Sequence, residues 1–220
     1  MDQANQAERA NSLRERLIDA GVDLVTAEGS AALGLREIAR RAGVSHGAPR
    51  RYFPTHHALL SAIARRGFAE LTARFEAVNE AAGAPRDRLR GLADVFLDYA
   101  GEHGGMFELM FRHDLLDSEA HASDADAHGP RLRDSTLPLF ARLVELVAQD
   151  RAHRAERGTG PSHDSAPPPA LTAAALWTNL HGIAVLRANG SLRLVLPGAS
   201  DGPDPLVTAA LDAHLGRADA

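Results

Sequence analysis

The segment from Leu35 to Phe53, LREIARRAGVSHGAPRRYF, constrains the fold more strongly than any other part of this sequence. It begins with apolar residues at the i, i+3, i+4 and i+7 positions of one helix face: Leu35, Ile38, Ala39 and Ala42. Gly43 is expected to end that helix in a left-handed conformation, because glycine has no Cβ to clash. Ser45 is suited to cap a following helix by accepting a backbone N–H bond. This order predicts a helix-turn-helix, whose second helix enters the major groove of DNA.

The charge of this region separates a DNA-binding corner from an ordinary helix corner with a glycine. Between residues 32 and 66 one acidic residue, Glu37, stands against seven arginines: Arg36, Arg40, Arg41, Arg50, Arg51, Arg65 and Arg66. The window therefore carries a net charge of +6, whereas the whole chain carries −5 and the remainder −11. A basic patch on an acidic protein is the pattern expected of a surface that contacts phosphates.

Bulk composition excludes several classes of protein. The 220 residues suit one large or two modest domains, and no run approaches the roughly 20 apolar residues of a membrane span. The first residues, MDQANQAERANSLRERL, lack the apolar region of a signal peptide. The absence of cysteine excludes disulfides and thiolate metal sites, so a cytoplasmic location is expected. No metalloprotease, nucleophile-elbow, Walker or dinucleotide motif is present, so neither enzymatic activity nor a cofactor is expected.

The apolar periodicity predicts an all-α fold of about nine helices with no convincing strand. Residues 1–54 form the predicted helix-turn-helix domain, a long fourth helix over 55–82 follows, and residues 83–220 form a C-terminal domain. The third helix is predicted from about His46 to Tyr52, Thr55 is expected to cap the fourth helix, and Asp204-Pro205 predicts the start of the last helix. The segment SLRLVL, 191–196, alternates like a strand but is too short and isolated to make a sheet. Residues 151–170, RAHRAERGTGPSHDSAPPPA, have the composition of a flexible linker. The polar stretch DSEAHASDADAHGP contains His121, Asp124, Asp126 and His128, which could bind a metal. Their spacing is loose, and a solvated loop is the favoured interpretation.

The order of these elements resembles the TetR family of bacterial transcriptional regulators over essentially the whole chain. The resemblance rests on Ile38-Ala39, Ala42-Gly43-Val44-Ser45, Tyr52-Phe53 and Leu59-Leu60, which match the family in identity and spacing. Later in the chain, Trp177, His181 and Gly182 form a W-x3-HG motif preceded by GGMFELMFR at 104–112. Together these resemble the TetR C-terminal domain named for its Trp-His-Gly signature.

The resemblance and the helix-turn-helix geometry imply roles for individual residues. His46 and Gly47, early in the recognition helix, are expected at base edges, with Gly47 permitting close approach. Phosphate contacts are expected from Ser45, Arg50, Arg51, Tyr52, His56 and Arg36. Arg40, Arg41, Arg65 and Arg66 are interpreted as a solvated basic face rather than direct contacts. The family usually has tyrosine where Arg50 stands and lysine where His56 stands, so the phosphate contacts of this head are expected to be atypical.

The C-terminal domain is expected to bind a ligand and to form a dimer. The candidate pocket consists of large, adaptable side chains: His103, Met106, Phe107, Met110, Phe111, Trp177 and His181. These residues are also what an ordinary core contains, and that alternative stays open. Dimerisation is expected through the last two helices, by Leu176, Leu180, Ala184, Val207, Leu211 and Leu215.

The implied function is that of a repressor that binds a palindromic operator as a homodimer. A small apolar or aromatic effector would shift the 106–116 segment and the fourth helix, and so change the separation of the two heads. The alternatives are a regulator that answers to a protein partner or to nothing, and a metal-responsive sensor.

Overall fold

The computed structural model describes residues 2–80, 83–112, 115, 131–159, 166–196 and 204–217. A short 3-10 helix, Ser30–Ala32, and ten α-helices occur in this part of the chain, which contains no strand. The α-helices are α1 (Asp2–Glu28), α2 (Leu35–Arg41), α3 (Pro49–Tyr52), α4 (His56–Glu80), α5 (Pro85–Glu102), α6 (Gly104–Met110), α7 (Leu132–Glu156), α8 (Pro169–Ala188), α9 (Leu192–Val195) and α10 (Pro205–Leu215). The predicted all-α fold is confirmed.

The helices divide into two compact units. The first comprises Met1–Glu70 with His103–Thr136, and the second comprises Leu71–Glu102 with Leu137–Ala220. Helix α6 belongs to the first unit, together with the helix-turn-helix. The reason is non-local, because α6 packs on the end of α1 and on the 3-10 helix.

The core of the first unit is formed by the inward faces of α1, α2, α4 and α6. Its side chains with no exposure include Leu17, Leu24, Ile38, Leu59, Ile63 and Met110. Each fully buried aliphatic side chain contributes about 1.5–3 kcal/mol to the stability of the folded state. Gly21 on α1 lies so close to Ile63 that an added Cβ would be 2.2 Å from its Cδ1, so α1 and α4 pack closely at this point.

The turn of the helix-turn-helix ends α2 as predicted. Gly43 has φ +67°, and its N–H donates to the carbonyl of Arg40 while the N–H of Val44 donates to the carbonyl of Ala39. These paired bonds are those of a Schellman motif, which satisfies the last carbonyls of a helix. The chain therefore reverses at a position that local sequence alone determines.

Helix α3 is shorter than the sequence indicated. It begins at Pro49 rather than His46, because proline lacks an N–H and its fixed φ suits the first helical position. Its N-cap is Ala48, which makes no side-chain capping bond, so the predicted capping role of Ser45 is wrong. The main chain closes this turn instead, with the N–H of Ala48 donating to the carbonyl of Ser45 at 2.9 Å.

The second unit is built on contacts of α5 with α8 and α10, and of α8 with α10. Polar bridges join its helices: Arg86 donates to Asp212 at 2.5 Å, and Arg90 donates to Thr208 at 3.0 Å. Helix α10 begins as predicted, because Asp204 Oδ1 accepts from the N–H of Leu206 at 2.9 Å and Pro205 follows.

Two further sequence interpretations concern the segments between helices. Helix α7 continues to Glu156, so the first residues of the predicted linker are helical rather than flexible. The SLRLVL segment, 191–196, contains the short helix α9. The polar loop with the four candidate metal ligands His121, Asp124, Asp126 and His128 lies outside the described residues.

Candidate nucleic-acid interface

The recognition segment presents its polar residues outward and its small apolar residues inward. Ser45, His46 and Gly47 are exposed, and so are both arginines of α3, Arg50 and Arg51. The intervening residues 48 and 49, alanine and proline, are buried and hold the segment against the head. A Cβ added to Gly47 would meet no atom within 4 Å, so this point of the surface is open to a close approach.

Two arginines of α1 contact the two ends of the segment from α2 to Phe53. Arg16 Nη2 donates to the carbonyl of Ala42, the last residue of the α2 turn, at 2.5 Å. The Arg14 guanidinium lies 5.2 Å from the centroid of the Phe53 ring, a cation–π distance. Neither residue could be identified from the sequence, because their partners lie more than 25 positions away and no local pattern marks such a contact.

Several arginines of the basic window are held by acidic residues of the same unit. Arg40 donates to both carboxylate oxygens of Glu37, at 2.8 and 2.5 Å, and these hydrogen bonds lower the pKa of Glu37 to about 2. Arg41 bonds to Glu28 and to Glu37, and Arg66 bonds to Glu15. Arg65 also has an interaction partner.

Arg36, Arg50 and Arg51 differ from those arginines. All three are exposed, and none forms an ion pair within the part of the chain that the structure describes. Arg36 lies in the first turn of α2 and the other two lie in α3. Their guanidinium groups remain available to phosphate oxygens or to a guanine edge.

The start of α4 is fixed by two neighbouring residues. The Thr55 hydroxyl accepts from the N–H of Ala58 at 3.0 Å, which confirms Thr55 as the cap of this helix. His56 Nε2 lies 2.7 Å from the carbonyl oxygen of Leu33, so this ring nitrogen donates and the half-buried imidazole is held in place. Because Nε2 carries the proton of the neutral ring, Nδ1 could donate to a phosphate oxygen only in the imidazolium form. Tyr52, the other ring predicted at a phosphate, is half-buried at the end of α3.

The seven predicted pocket residues do not all belong to one unit. His103, Met106, Phe107, Met110 and Phe111 lie in the first unit, where Met106 and Met110 are buried against Gly67 and the Phe68 and Phe111 rings are 5.5 Å apart. Met106, Phe107 and Met110 form part of the core of the head, whereas His103 and Phe111 are half-buried.

Trp177 and His181 lie in the second unit. The Trp177 ring is 4.8 Å from the Phe96 ring and stacks with the His181 ring at 6.4 Å. Burial lowers the pKa of His181, so its imidazole is neutral at pH 7. Two open grooves of this unit, of about 600 and 530 Å3, are lined by α4 with α5 and by α5 with α8, and neither includes Trp177 or His181.

The six residues predicted at a dimer interface lie in the core of the second unit. Their side chains are between 0 and 7% exposed within one chain: Leu176, Leu180, Ala184, Val207, Leu211 and Leu215. Apolar residues that remain exposed on α8 and just after it are different ones: Leu171, Val185, Leu186, Leu194, Val195 and Leu196.

An all-α head with a Schellman turn and an exposed, arginine-bearing second helix defines a helix-turn-helix DNA-binding regulator. Residues 17–63 match the family described as "Bacterial regulatory proteins, tetR family", and residues 89–214 match "Tetracyclin repressor-like, C-terminal domain". The chain therefore belongs to the TetR family of transcriptional regulators and is not an enzyme.

Individual proteins support the same assignment. The chain is 30% identical over 139 residues to the HTH-type transcriptional repressor KstR of Mycolicibacterium smegmatis, a region that spans 63% of this chain and 66% of that repressor. It is 29% identical over 188 residues to the HTH-type transcriptional regulator BetI of Rhizobium meliloti, covering 80% and 91% of the two chains. A protein of unknown function from Rhodococcus sp. RHA1 has a similar solved structure, with a TM-score of 0.65, 29% identity and coverage of 93% and 96%.

Proposed function

We propose that this regulator is a repressor that binds a palindromic operator as a homodimer and is released by a small apolar or aromatic effector. The observation that supports the DNA contact is the contrast among the arginines of the head. Carboxylates hold Arg40, Arg41 and Arg66. In contrast, Arg36, Arg50 and Arg51 are exposed and form no ion pair in the described residues. Two heads would read half-sites about 34 Å apart or a multiple of that distance.

The composition of α8 supports the proposal of a dimer. This helix has a mean hydropathy of 1.2 and is, by length and composition, apolar enough to cross a membrane. Only 33% of its apolar stretch is buried within the chain. Leu171, Val185 and Leu186 remain exposed on it. A second copy that packs on the outer face of α8 would remove this apolar surface from water.

The effector site is proposed around Trp177 and His181. An aromatic face beside a neutral imidazole suits a small apolar ligand with one or two polar groups. Helix α4 is continuous from His56 to Glu80, so a ligand-dependent shift of α4 would change the separation of the heads. A regulator that answers to a protein partner or to nothing is the second candidate, and the metal-responsive sensor is the third.

The DNA contact is tested by replacing Arg50 and Arg51 together with alanine. The matched control replaces Arg40 and Arg66, which removes the same charge from two arginines that carboxylates already hold. With duplex DNA from the region upstream of its own gene, we expect at least a tenfold loss of affinity for the first variant and about threefold or less for the control. Equal affinities for the two variants would contradict the assignment of the interface.

The effector proposal is tested by melting temperature. A ligand that binds only the folded state raises the stability by mass action, by about 2.7 kcal/mol at a hundredfold excess over its Kd. A panel of small aromatic and aliphatic compounds should therefore contain compounds that raise the melting temperature of wild type but not of Trp177→Ala. Zinc or nickel is expected to leave it unchanged, and a metal-dependent rise would favour the sensor.

A further inference from the structure

Helix α6 packs against the backbone of the head at the junction between α1 and the 3-10 helix. A Cβ added to Gly105 would lie 2.7 Å from the carbonyl oxygen of Val25 and 2.9 Å from the Cα of Gly29. Both of those atoms belong to the main chain, which cannot move aside as a flexible side chain can. The first turn of α6 therefore lies directly on the end of α1.

One side-chain bond joins α6 to the 3-10 helix itself. The Ser30 hydroxyl donates to Glu108 Oε2 at 2.6 Å, the usual distance between a hydroxyl donor and a carboxylate oxygen. Glu108 is exposed, and its neighbours Phe107 and Leu109 are buried in the head. The position of the carboxylate is therefore set by the packing of the helix that carries it.

Ser30, the partner of Glu108, lies three positions before Leu33, whose carbonyl contacts His56. The N–H of Leu33 donates to the carbonyl of Ser30 at 3.3 Å, which closes the 3-10 helix. The carbonyl of Leu33 in turn accepts from His56 Nε2 at 2.7 Å, in the first turn of α4. These contacts form one continuous path from α6 to the start of α4, all within the first unit.

We propose that Glu108 is a positioning residue for DNA binding. Through Ser30 it holds the 3-10 helix, so that the Leu33 carbonyl fixes the imidazole of His56 where a DNA phosphate passes. This role rests on the proposed contact between His56 and DNA. Glu108 itself touches no DNA in this arrangement, and its effect is carried by the main chain between residues 30 and 33.

Whether substitution of Glu108 weakens or strengthens DNA binding distinguishes a positioning role from a purely electrostatic one. Glu108 is an acidic residue in the unit that binds a polyanion, so removing its charge should strengthen DNA binding if charge alone matters. A positioning role predicts the opposite for a variant that loses the hydrogen bond. Glu108→Gln loses the charge but keeps an oxygen that can accept from Ser30, whereas Glu108→Ala loses both.

The experiment measures the affinity of the full-length protein for a duplex selected in vitro for binding to wild type. We expect Ser30→Ala and Glu108→Ala each to weaken binding about threefold to tenfold, consistent with the loss of one exposed hydrogen bond. Glu108→Gln should bind at least as well as wild type. The double variant with both alanines should bind like either single variant, because both remove the same bond.

A His56→Ala background tests the path through Leu33. In that background Glu108→Ala should no longer weaken binding, since the ring that it positions is absent. Circular dichroism melts of each variant check that the head is folded. If Glu108→Ala binds as well as Glu108→Gln, or if its loss persists without His56, the positioning role is refuted. If wild type enriches no sequence, the DNA-binding function fails first, and that outcome is distinct from the others.

Discussion

Two adjacent glycines at the start of α6 offer a measurement of how tightly this helix packs on the head. At Gly105 an added methyl group would be about 0.7 Å closer to the Val25 carbonyl oxygen than the 3.4 Å at which ordinary contact begins. Overpacking of this kind costs about 1–3 kcal/mol. At Gly104 an added Cβ meets no atom within 4 Å. Gly104→Ala and Gly105→Ala therefore add the same methyl group, but only the one at Gly105 would contact the main chain of α1.

We expect Gly104→Ala to be neutral or to stabilise the protein by up to about 1 kcal/mol, because alanine favours a helix over glycine. Gly105→Ala gains the same helix preference, but its methyl group can be accommodated only if α6 moves away from α1. The difference between the two variants should be about 1–3 kcal/mol in the free energy of unfolding, which corresponds to several degrees in Tm for a chain of this length.

The assay is thermal unfolding of both variants by circular dichroism under one set of conditions, with DNA affinity measured in parallel. Gly105→Ala should have the lower Tm and the lower affinity, since the displaced helix no longer holds the 3-10 helix through Ser30. A Tm of Gly105→Ala at or above that of Gly104→Ala would show that the close approach of α6 to α1 does not affect the free energy of unfolding, and would refute this prediction.

Three further outcomes follow from single groups. Burial lowers the pKa of His181 below 6.5, so the folded state should lose stability as the pH falls below that value, where the unfolded chain binds the proton more readily; His181→Gln should flatten this loss in Tm. Asp204→Ala removes the cap of α10 and should cost about 1–2 kcal/mol, whereas Asp204→Asn keeps the cap and should cost less, as denaturant unfolding will show. His56→Ala should weaken operator affinity about threefold to tenfold in a fluorescence anisotropy titration, because the ring held by the Leu33 carbonyl is lost, and an unchanged affinity would exclude His56 as a DNA contact.

Features determined by local sequence could be predicted from the sequence. Gly43 has no Cβ, so its positive φ and the end of α2 followed from its position after an apolar helix face. The aspartate and proline at 204–205 predicted the start of α10 for the same kind of reason. The start of α3 was misplaced although Pro49 itself carries the relevant signal, because proline suits the first position of a helix better than its interior.

Features that depend on distant contacts could not be predicted in this way. The placement of α6 with the head depends on the approach of Gly105 to Val25, 80 positions earlier. Leu176 and Leu180 have the periodicity of any apolar helix face, and periodicity does not distinguish a face turned to the core of one chain from a face turned to a partner. The support of the turn by Arg16 likewise depends on a carbonyl 26 residues away.

The net charge of the basic window is larger than the number of its exposed arginines that form no ion pair in the described residues. Its net charge of +6 per head would imply 12 neutralised phosphates for a dimer and a log–log salt slope of about −11, at 0.9 per phosphate. Arg36, Arg50 and Arg51 are the exposed arginines of the window that form no ion pair in the described residues, which makes six for a dimer and a slope of about −5. Titration of operator affinity between 50 and about 200 mM salt separates the two values. A slope near −11 would mean that the ion pairs of Arg40, Arg41 and Arg66 break when DNA binds, whereas a slope near −5 means that these pairs shape the head and leave phosphate binding to three arginines.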